Sequence, residues 1–126
     1  MGTYRIKRSV VISLFALLSA SPAVAEDVNS ITALTLFTEN QWSGSNNDGP
    51  NFTFFHEPNG RFEATFDPPI NGQAKFTGSM QAKGEQLCWA WDGWKTFCYV
   101  AFDLNGDELT ITREDGVVQT GTLTPR

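Results

Sequence analysis

Short, evenly spaced runs of strand-forming residues fill the chain from residue 52 to its end. Turn sequences that include PNG, DPPING, KGE, DGW, NG and EDG separate these runs from one another. A further strand around Gln41-Trp42 brings the predicted count to eight, the other seven being residues 52–57, 61–66, 73–81, 86–91, 96–104, 107–113 and 117–123. Strands this short and regular are typical of an antiparallel barrel or sandwich, so we expect an all-β fold.

The first 25 residues have the three parts of a signal peptide. A basic start, YRIKR, precedes an apolar run over residues 10–20, and Ala23-Val24-Ala25 is the small-x-small pattern after which signal peptidases cut. We therefore expect cleavage after Ala25 and a periplasmic or secreted protein. No later stretch approaches the roughly 20 apolar residues that a transmembrane helix needs, so no transmembrane segment is expected after signal removal.

Removal of this segment would leave a strongly acidic protein. Arg5, Lys7 and Arg8 leave with it, so six basic and fourteen acidic side chains remain, a net charge of −8. Such a protein repels phosphate backbones and anionic lipid surfaces, and no basic stripe in the sequence offsets this repulsion. Nucleic acid is therefore not an expected partner.

The segment that follows the signal peptide allows two interpretations. Ile31, Leu34, Leu36 and Phe37 could line one side of a short helix with Ser30 as its cap. The same residues could equally form an irregular lead-in to the first strand. The pattern is too short to separate these alternatives.

The sequence Glu57-Pro58-Asn59-Gly60-Arg61 predicts a hairpin with a three-residue loop, because proline and asparagine suit a type I turn and glycine suits the left-handed position after it. This loop pairs Glu57 with Arg61, and alternation along both strands then places the charged residues outside. The predicted inner face consists of Phe52, Phe54, His56, Phe62, Ala64 and Phe66. His56, the only histidine, is thus predicted to be a core or rim residue that could line an open mouth with Phe54 and Phe66.

The only two cysteines, Cys88 and Cys98, enclose three of the four tryptophans in the sequence CWAWDGWKTFC. A two-residue turn at Asp92-Gly93 would point the cysteines to opposite faces, whereas a loop of three or five residues puts them directly across from each other. Redox cysteines are usually two residues apart, and zinc needs four ligands where this chain offers two thiols and one histidine. We therefore predict a structural disulfide in an odd-length hairpin, with no metal site.

The odd-length loop places Leu87, Trp89, Trp91, Phe97 and Tyr99 on one face of this hairpin and the cysteines on the other. A two-residue turn at Asn105-Gly106 would pair Phe102 with Leu109 and Val100 with Ile111, which puts the cysteine face inside. The tryptophan face is then predicted to point outward, unless a bulge reverses the alternation. An outward aromatic face marks a ligand or partner surface, and a covered one belongs to the core.

The candidate functional residues are aromatic. No Ser/His/Asp arrangement, phosphate-cradling glycine loop or metal-ligand cluster is recognisable in the sequence, so we expect neither an enzyme nor a cofactor. The residues predicted to bind a ligand or partner are Trp89, Trp91, Trp94, Phe97, Tyr99 and His56. The expected partner is a small apolar ligand or a protein.

Several short motifs resemble those of small exported bacterial proteins with lipocalin-like barrels, among them a group known as a domain of unknown function. The motifs are Trp42-Ser43-Gly44, Gly84 to Trp89, Cys98, Gly106 to Leu109 and Asp115-Gly116. The resemblance implies an eight-stranded antiparallel up-and-down barrel of the lipocalin or calycin type and no catalytic residues. The sequence patterns together divide the chain into a signal peptide (1–25), an N-terminal lead-in segment (26–40) and a β-barrel domain (41–126).

The function that we expect is that of an exported, non-catalytic binding barrel for a small apolar or aromatic ligand or a protein partner. The alternative is a periplasmic protease inhibitor or protein-interaction module. Exported barrel-type inhibitors act through an N-terminal arm, for which residues 26–40 would serve, and an interaction module could use the tryptophan-rich face.

Overall fold

The computed structural model describes residues 25–46 and 49–126. Apart from Ala25, the predicted signal peptide lies outside the described residues. The prediction of an all-β barrel with one disulfide is confirmed. Within these described residues, one short strand, β1 (Glu26–Asp27), and one helix, α1 (Ser30–Glu39), precede eight strands, namely β2 (Asn40–Ser45), β3 (Asn51–His56), β4 (Arg61–Ile70), β5 (Gln73–Lys83), β6 (Gln86–Trp91), β7 (Thr96–Asn105), β8 (Glu108–Arg113) and β9 (Val118–Pro125).

The eight strands from β2 to β9 form a closed antiparallel meander. Each strand pairs with the next one along the chain, and β9 pairs back with β2, which closes the barrel. β1 pairs with the end of β7, where Glu26 lies opposite Leu104. Because consecutive strands run in opposite directions, the β3–β4, β5–β6 and β7–β8 turns lie at one end and the β4–β5, β6–β7 and β8–β9 turns lie at the other.

The lead-in segment forms a helix that closes the first of these ends. The cap is Asn29 rather than Ser30, because the Asn29 side-chain oxygen accepts a hydrogen bond of 2.8 Å from the backbone N–H of Thr32. The Ser30 hydroxyl instead donates to the Gly84 carbonyl oxygen at 2.7 Å, which ties the helix to the β5–β6 turn. On the inner side of the helix, Ala33 and Phe37 are completely buried.

The first predicted hairpin is confirmed in its loop, its register and its faces. The Glu57 N–H donates to the Arg61 carbonyl oxygen at 2.7 Å, and Gly60 has a φ of 93°, in the left-handed region. His56 lies opposite Phe62, as predicted. The predicted inner residues Phe52, Phe54, Phe62, Ala64 and Phe66 point into the barrel, whereas Phe55 lies opposite Glu63 on the outer face.

The hairpin that carries the cysteines also has the predicted odd-length loop. Cys88 lies directly opposite Cys98, and the two form a disulfide. The Trp91 N–H donates to the Lys95 carbonyl oxygen at 2.9 Å, so the loop consists of the three residues between them.

The predicted orientation of this hairpin is wrong, because the tryptophan face points into the barrel. Trp89 is only 3% exposed and Tyr99 only 8%, whereas Val100, on the opposite face, is 44% exposed. Leu87 is also buried, and Trp91 and Phe97 are half-buried. These side chains therefore form no outward patch.

A β-bulge in β7 accounts for the reversal. Tyr99 pairs with Arg113 but Ala101 pairs with Thr112, so Val100 is the extra residue that shifts the alternation. As a result Tyr99 and Phe102 point inward although three positions separate them.

The turn that follows β7 is one residue later than predicted. Its central residues are Gly106 and Asp107, and Gly106 has a φ of 66°, which suits the first central position of a type II′ turn. Leu104 consequently pairs with Leu109 and Phe102 with Ile111. The pairing of the two strands therefore differs from the prediction by two residues. Because side chains alternate with a period of two, Leu109 and Ile111 still point inward, as predicted.

The predicted DPPING turn is mostly strand. β4 continues through the two prolines to Ile70, with an irregular register between Thr65 and Ile70, and the turn is reduced to the two residues before Gln73. This extension makes the β4–β5 hairpin longer than the sequence pattern indicates, and it projects at the end of the barrel opposite α1.

Candidate functional site at the barrel mouth

The two ends of the barrel differ in how they are filled. At the helix end, the ring of Phe37 packs against Trp42, His56 and Trp89, with centroid distances of 5.3, 4.9 and 5.2 Å. At the opposite end, two adjoining cavities open between the strand tips. We call this open end the mouth.

The first cavity enters the barrel interior and has a volume of about 270 Å³. Trp42, Phe54 and Trp89 are buried and form its floor, and Trp94, at the tip of the β6–β7 loop, is 67% exposed at its rim. The remaining residues that line this inner cavity are Asn46, Phe66, Trp91, Phe97, Tyr99, Ile111, Arg113, Val117, Val118 and Gln119. Five of the six predicted binding residues, all except His56, therefore line one cavity.

The second cavity is a cleft between the β4–β5 hairpin and the β6–β7 loop, with a volume of about 540 Å³. Phe66, Trp91 and Trp94 line both this outer cleft and the inner cavity. Phe66 and Trp91 have ring centroids 6.3 Å apart, and Phe76 packs edge-on to both. An aromatic wall thus separates the two spaces and forms a side of each.

Polar contacts hold the β6–β7 loop against the neighbouring strands. The Asp92 carboxylate accepts hydrogen bonds from the Arg61 guanidinium at 2.5 and 3.2 Å and from the Thr77 hydroxyl at 2.6 Å. Arg61, and after it Thr77, holds the pKa of Asp92 below its usual value, and Asp92 in turn raises the pKa of Arg61. Since Asp92 follows Trp91 at the end of β6 and precedes Trp94 in the loop, these contacts fix the segment in which both rings lie.

The disulfide links β6 and β7 on the outer face of the sheet, on the side opposite the cavity. Cys88 and Cys98 flank Trp89 and Phe97, which are themselves a cross-strand pair. The cysteine side chains point to the outer face, so the covalent link ties β6 to β7 without occupying the cavity.

One side of the inner cavity carries polar groups. The Tyr99 hydroxyl donates to the Gln119 side-chain oxygen at 3.4 Å, and the Gln119 amide donates to the Asn46 side-chain oxygen at 3.4 Å. Burial raises the pKa of Tyr99, and the neighbouring Arg113 opposes that rise. The guanidinium of Arg113 lies over the Phe97 ring, 4.7 Å from its centroid.

His56 lies apart from the mouth, beneath α1. It is completely buried, and its Nε2 accepts a hydrogen bond of 2.8 Å from the Trp89 indole, whereas Nδ1 has no partner among the described residues. Burial, and after it the charge of Arg126, lowers the pKa of His56 to about 3. The imidazole is therefore neutral near pH 7, and it lines neither of the two cavities.

The sequence pattern does not mark several of the residues that line the mouth. Arg113 and Gln119 were not candidates, and neither were Val117 and Val118, because it is the bulged pairing of β7 with β8 that puts Arg113 opposite Tyr99 and the β8–β9 turn beside the β6–β7 loop. Phe66 was predicted to point inward, but its place in the wall between the two cavities depends on the extended β4–β5 hairpin.

No family model matches the sequence, and neither a curated protein nor a solved structure matches it. Within residues 25–46 and 49–126, no helix is long and apolar enough to cross a membrane. Over the same ranges, no three His, Cys, Asp or Glu side chains converge in a way that could hold a metal ion.

Proposed function

We propose that this protein is an exported, non-catalytic binding barrel that takes a small apolar or aromatic ligand into its mouth. The observation that carries the proposal is the inner cavity, which is lined largely by aromatic side chains and is open to solvent at the end that α1 leaves uncovered. Ligand pockets are concave and mostly apolar with a few polar groups, and typically have volumes of about 300–1,000 Å³. The inner cavity and the adjoining cleft together meet this description.

The aromatic rings suit a planar ligand. Trp94 and Phe97 are edge-to-face, with centroids 5.3 Å apart, and Trp89 and Tyr99 are edge-to-face at 5.0 Å. A ring that enters the cavity can extend this arrangement with stacked or edge-on contacts, each of which contributes about 0.5–1.5 kcal/mol beyond the area that it buries. The exposed ring of Trp94 would lose its contact with water in the process.

Export and the lipocalin-like relationship belong to the same proposal. β1 begins at Glu26, the first residue after the predicted cleavage site, so cleavage after Ala25 would leave every strand and the helix intact. The disulfide between Cys88 and Cys98 suits an oxidising compartment outside the cytoplasm. The inhibitor alternative has less support, because Ala33 and Phe37 of the N-terminal arm are completely buried against the barrel.

The experiment is a fluorescence titration of purified residues 26–126 with the neutral probe N-phenyl-naphthylamine, which becomes bright in apolar surroundings. We expect saturable, equimolar binding that Trp94→Ala weakens about three- to tenfold, because one aromatic contact is lost. The matched control is Ile31→Ala, which removes an apolar side chain of similar exposure, 59%, from the outside of α1.

Two results would contradict the proposal. One is the absence of saturable binding by the wild-type protein. The other is an equal effect of the Trp94 and Ile31 substitutions, because the probe would then bind apolar surface in general and not the mouth.

A further inference from the structure

Among the described residues that line the inner cavity, Arg113 is the one charged side chain. The other described residues that line it are apolar, aromatic or neutral and polar. A single guanidinium in an otherwise uncharged, largely aromatic space has a strong influence on which ligands fit, because charge interactions weaken little across apolar surroundings.

The guanidinium is held in place from outside the cavity. Its Nε and Nη2 atoms each donate to the Asp115 carboxylate at 2.8 Å, and its plane lies over the Phe97 ring. Asp115 belongs to the β8–β9 turn and does not line the cavity. The bidentate contact uses two of the five N–H groups of the arginine, which leaves three for another acceptor.

Asp115 does not cancel the attraction for a second anion. Its side chain is 55% exposed, so water screens its charge, whereas the Arg113 side chain is 23% exposed and lines the largely apolar cavity. The overall negative charge of the protein acts on a ligand mainly at long range, where salt screens it over about 8 Å. The local donor therefore decides the preference inside the cavity.

Two neutral hydrogen-bond donors, the Tyr99 hydroxyl and the Gln119 amide, also line the cavity. The hydrogen bonds from Tyr99 to Gln119 and from Gln119 to Asn46 are both 3.4 Å long, beyond the usual range of about 2.5–3.2 Å. Weak contacts of this kind are readily exchanged for contacts with a ligand. The Tyr99 hydroxyl and the Gln119 amide can then donate to the same ligand group as Arg113.

We propose that the ligand is an aromatic acid, with its ring among the aromatic side chains of the inner cavity and its anionic group on Arg113. This inference rests on the proposed function, because it assigns a chemical class to the ligand of the same cavity. The acid group receives charge-assisted hydrogen bonds from the free N–H groups of Arg113, with support from Tyr99 and Gln119. The ring replaces water on Trp91 and Phe97.

Two probes with the same ring system test the inference. N-phenyl-naphthylamine is neutral, and anilinonaphthalene sulfonate adds an acid group to the same skeleton. We expect Arg113→Met, which keeps an apolar stem over Phe97, to weaken sulfonate binding about tenfold and to change binding of the neutral probe less than twofold. Arg113→Lys, which keeps the charge but loses the planar fork, should give a smaller loss for the sulfonate.

The matched control is Lys83→Met, which removes one positive charge at the helix end of the barrel and should leave both probes unaffected. Circular dichroism melts verify that each variant is folded. If Arg113→Met changes the affinity for both probes equally, or for neither, the assignment of an aromatic acid is overturned. The proposal that the mouth binds an apolar ligand is not affected by that result. If the wild-type protein binds neither probe, both proposals fail.

Discussion

Acidification from pH 7 to pH 5 should destabilise the protein mainly through one side chain, His56. This imidazole is completely buried beneath α1, where burial and then Arg126 lower its pKa to about 3 from the usual 6.5. Its Nε2 already accepts a hydrogen bond from the Trp89 indole, so a proton there would also break that contact. The folded state therefore keeps the histidine neutral over a wide range of pH.

The sign of the effect follows from proton binding in the two states. In the unfolded chain the histidine has an ordinary pKa near 6.5, so below that pH the unfolded state binds a proton that the folded state does not. The stabilising contribution is complete above pH 6.5 and is lost as pH falls towards 3. Each pH unit in that range costs about 1.4 kcal/mol, so the loss between pH 7 and pH 5 is about 2 kcal/mol.

Other groups contribute little over the same interval. The carboxyls of Asp92 and Asp115, whose pKa values Arg61 and Arg113 lower, would reduce stability only nearer to pH 4, where aspartates in the unfolded chain bind protons. Asp103 would increase the free energy of unfolding as the pH falls. A hydrogen bond with Asp27 raises its pKa, and protonation relieves the repulsion between the two carboxylates.

Urea unfolding at pH 7, 6 and 5 measures the effect, with tryptophan fluorescence as the signal because Trp42 and Trp89 are buried. The matched variant is His56→Gln, whose side-chain oxygen can accept from the Trp89 indole but does not titrate. This variant should lose about 1–3 kcal/mol at pH 7 and then stay nearly constant down to pH 5. The reasoning is refuted if the wild-type protein is equally stable at both pH values, or if His56→Gln keeps the same dependence.

Two further perturbations, loss of the disulfide and a substitution at Gly78, test the packing of the barrel. Replacement of Cys88 and Cys98 by serine, or reduction of the disulfide, should lower the free energy of unfolding by about 3 kcal/mol and the melting temperature by roughly 10 °C or more, and an unchanged melting temperature would show that the link stabilises nothing. Gly78→Ala should cost about 1–3 kcal/mol, because the added Cβ would lie 2.6 Å from the Phe62 ring and closer still to the Ala90 carbonyl oxygen of β6. Urea unfolding measures this cost, and full stability of the variant would contradict the described contact between the ring and the strand.

Local chemistry determined how far the sequence could predict this fold. The first hairpin could be read correctly because the turn Pro58-Asn59-Gly60 sets its own register, and the charges at Glu57 and Arg61 mark the outer face. The odd-length loop followed from the geometric requirement that two cysteines must face each other. Each of these inferences depends on residues that are close together in the chain.

The orientation of the aromatic hairpin could not be predicted in the same way. Val100 carries no signal of a bulge, because valine is an ordinary strand residue and no glycine marks the site. One extra residue reverses the inside and outside of everything before it, from Tyr99 back to Leu87. The aromatic side chains were therefore identified as candidate binding residues, but they were assigned to the wrong side of the sheet.

The existence of a cavity depends on contacts between residues that are even farther apart in the sequence. Three large rings lie over glycines of neighbouring strands, where an added Cβ would come within 2.6–2.9 Å of the ring atoms, namely Trp42 over Gly121, Phe52 over Gly44 and Phe62 over Gly78. Trp42 and Gly121 are brought together only when β9 closes against β2. Each ring fits because the residue beneath it is a glycine, which has no side chain. The number of aromatic residues alone therefore does not show whether the interior of a small barrel is filled or contains a cavity. Phe37 fills the helix end of the barrel, whereas the rings at the mouth are covered neither by a helix nor by a close strand contact of this kind, and the proposed ligand would pack against them.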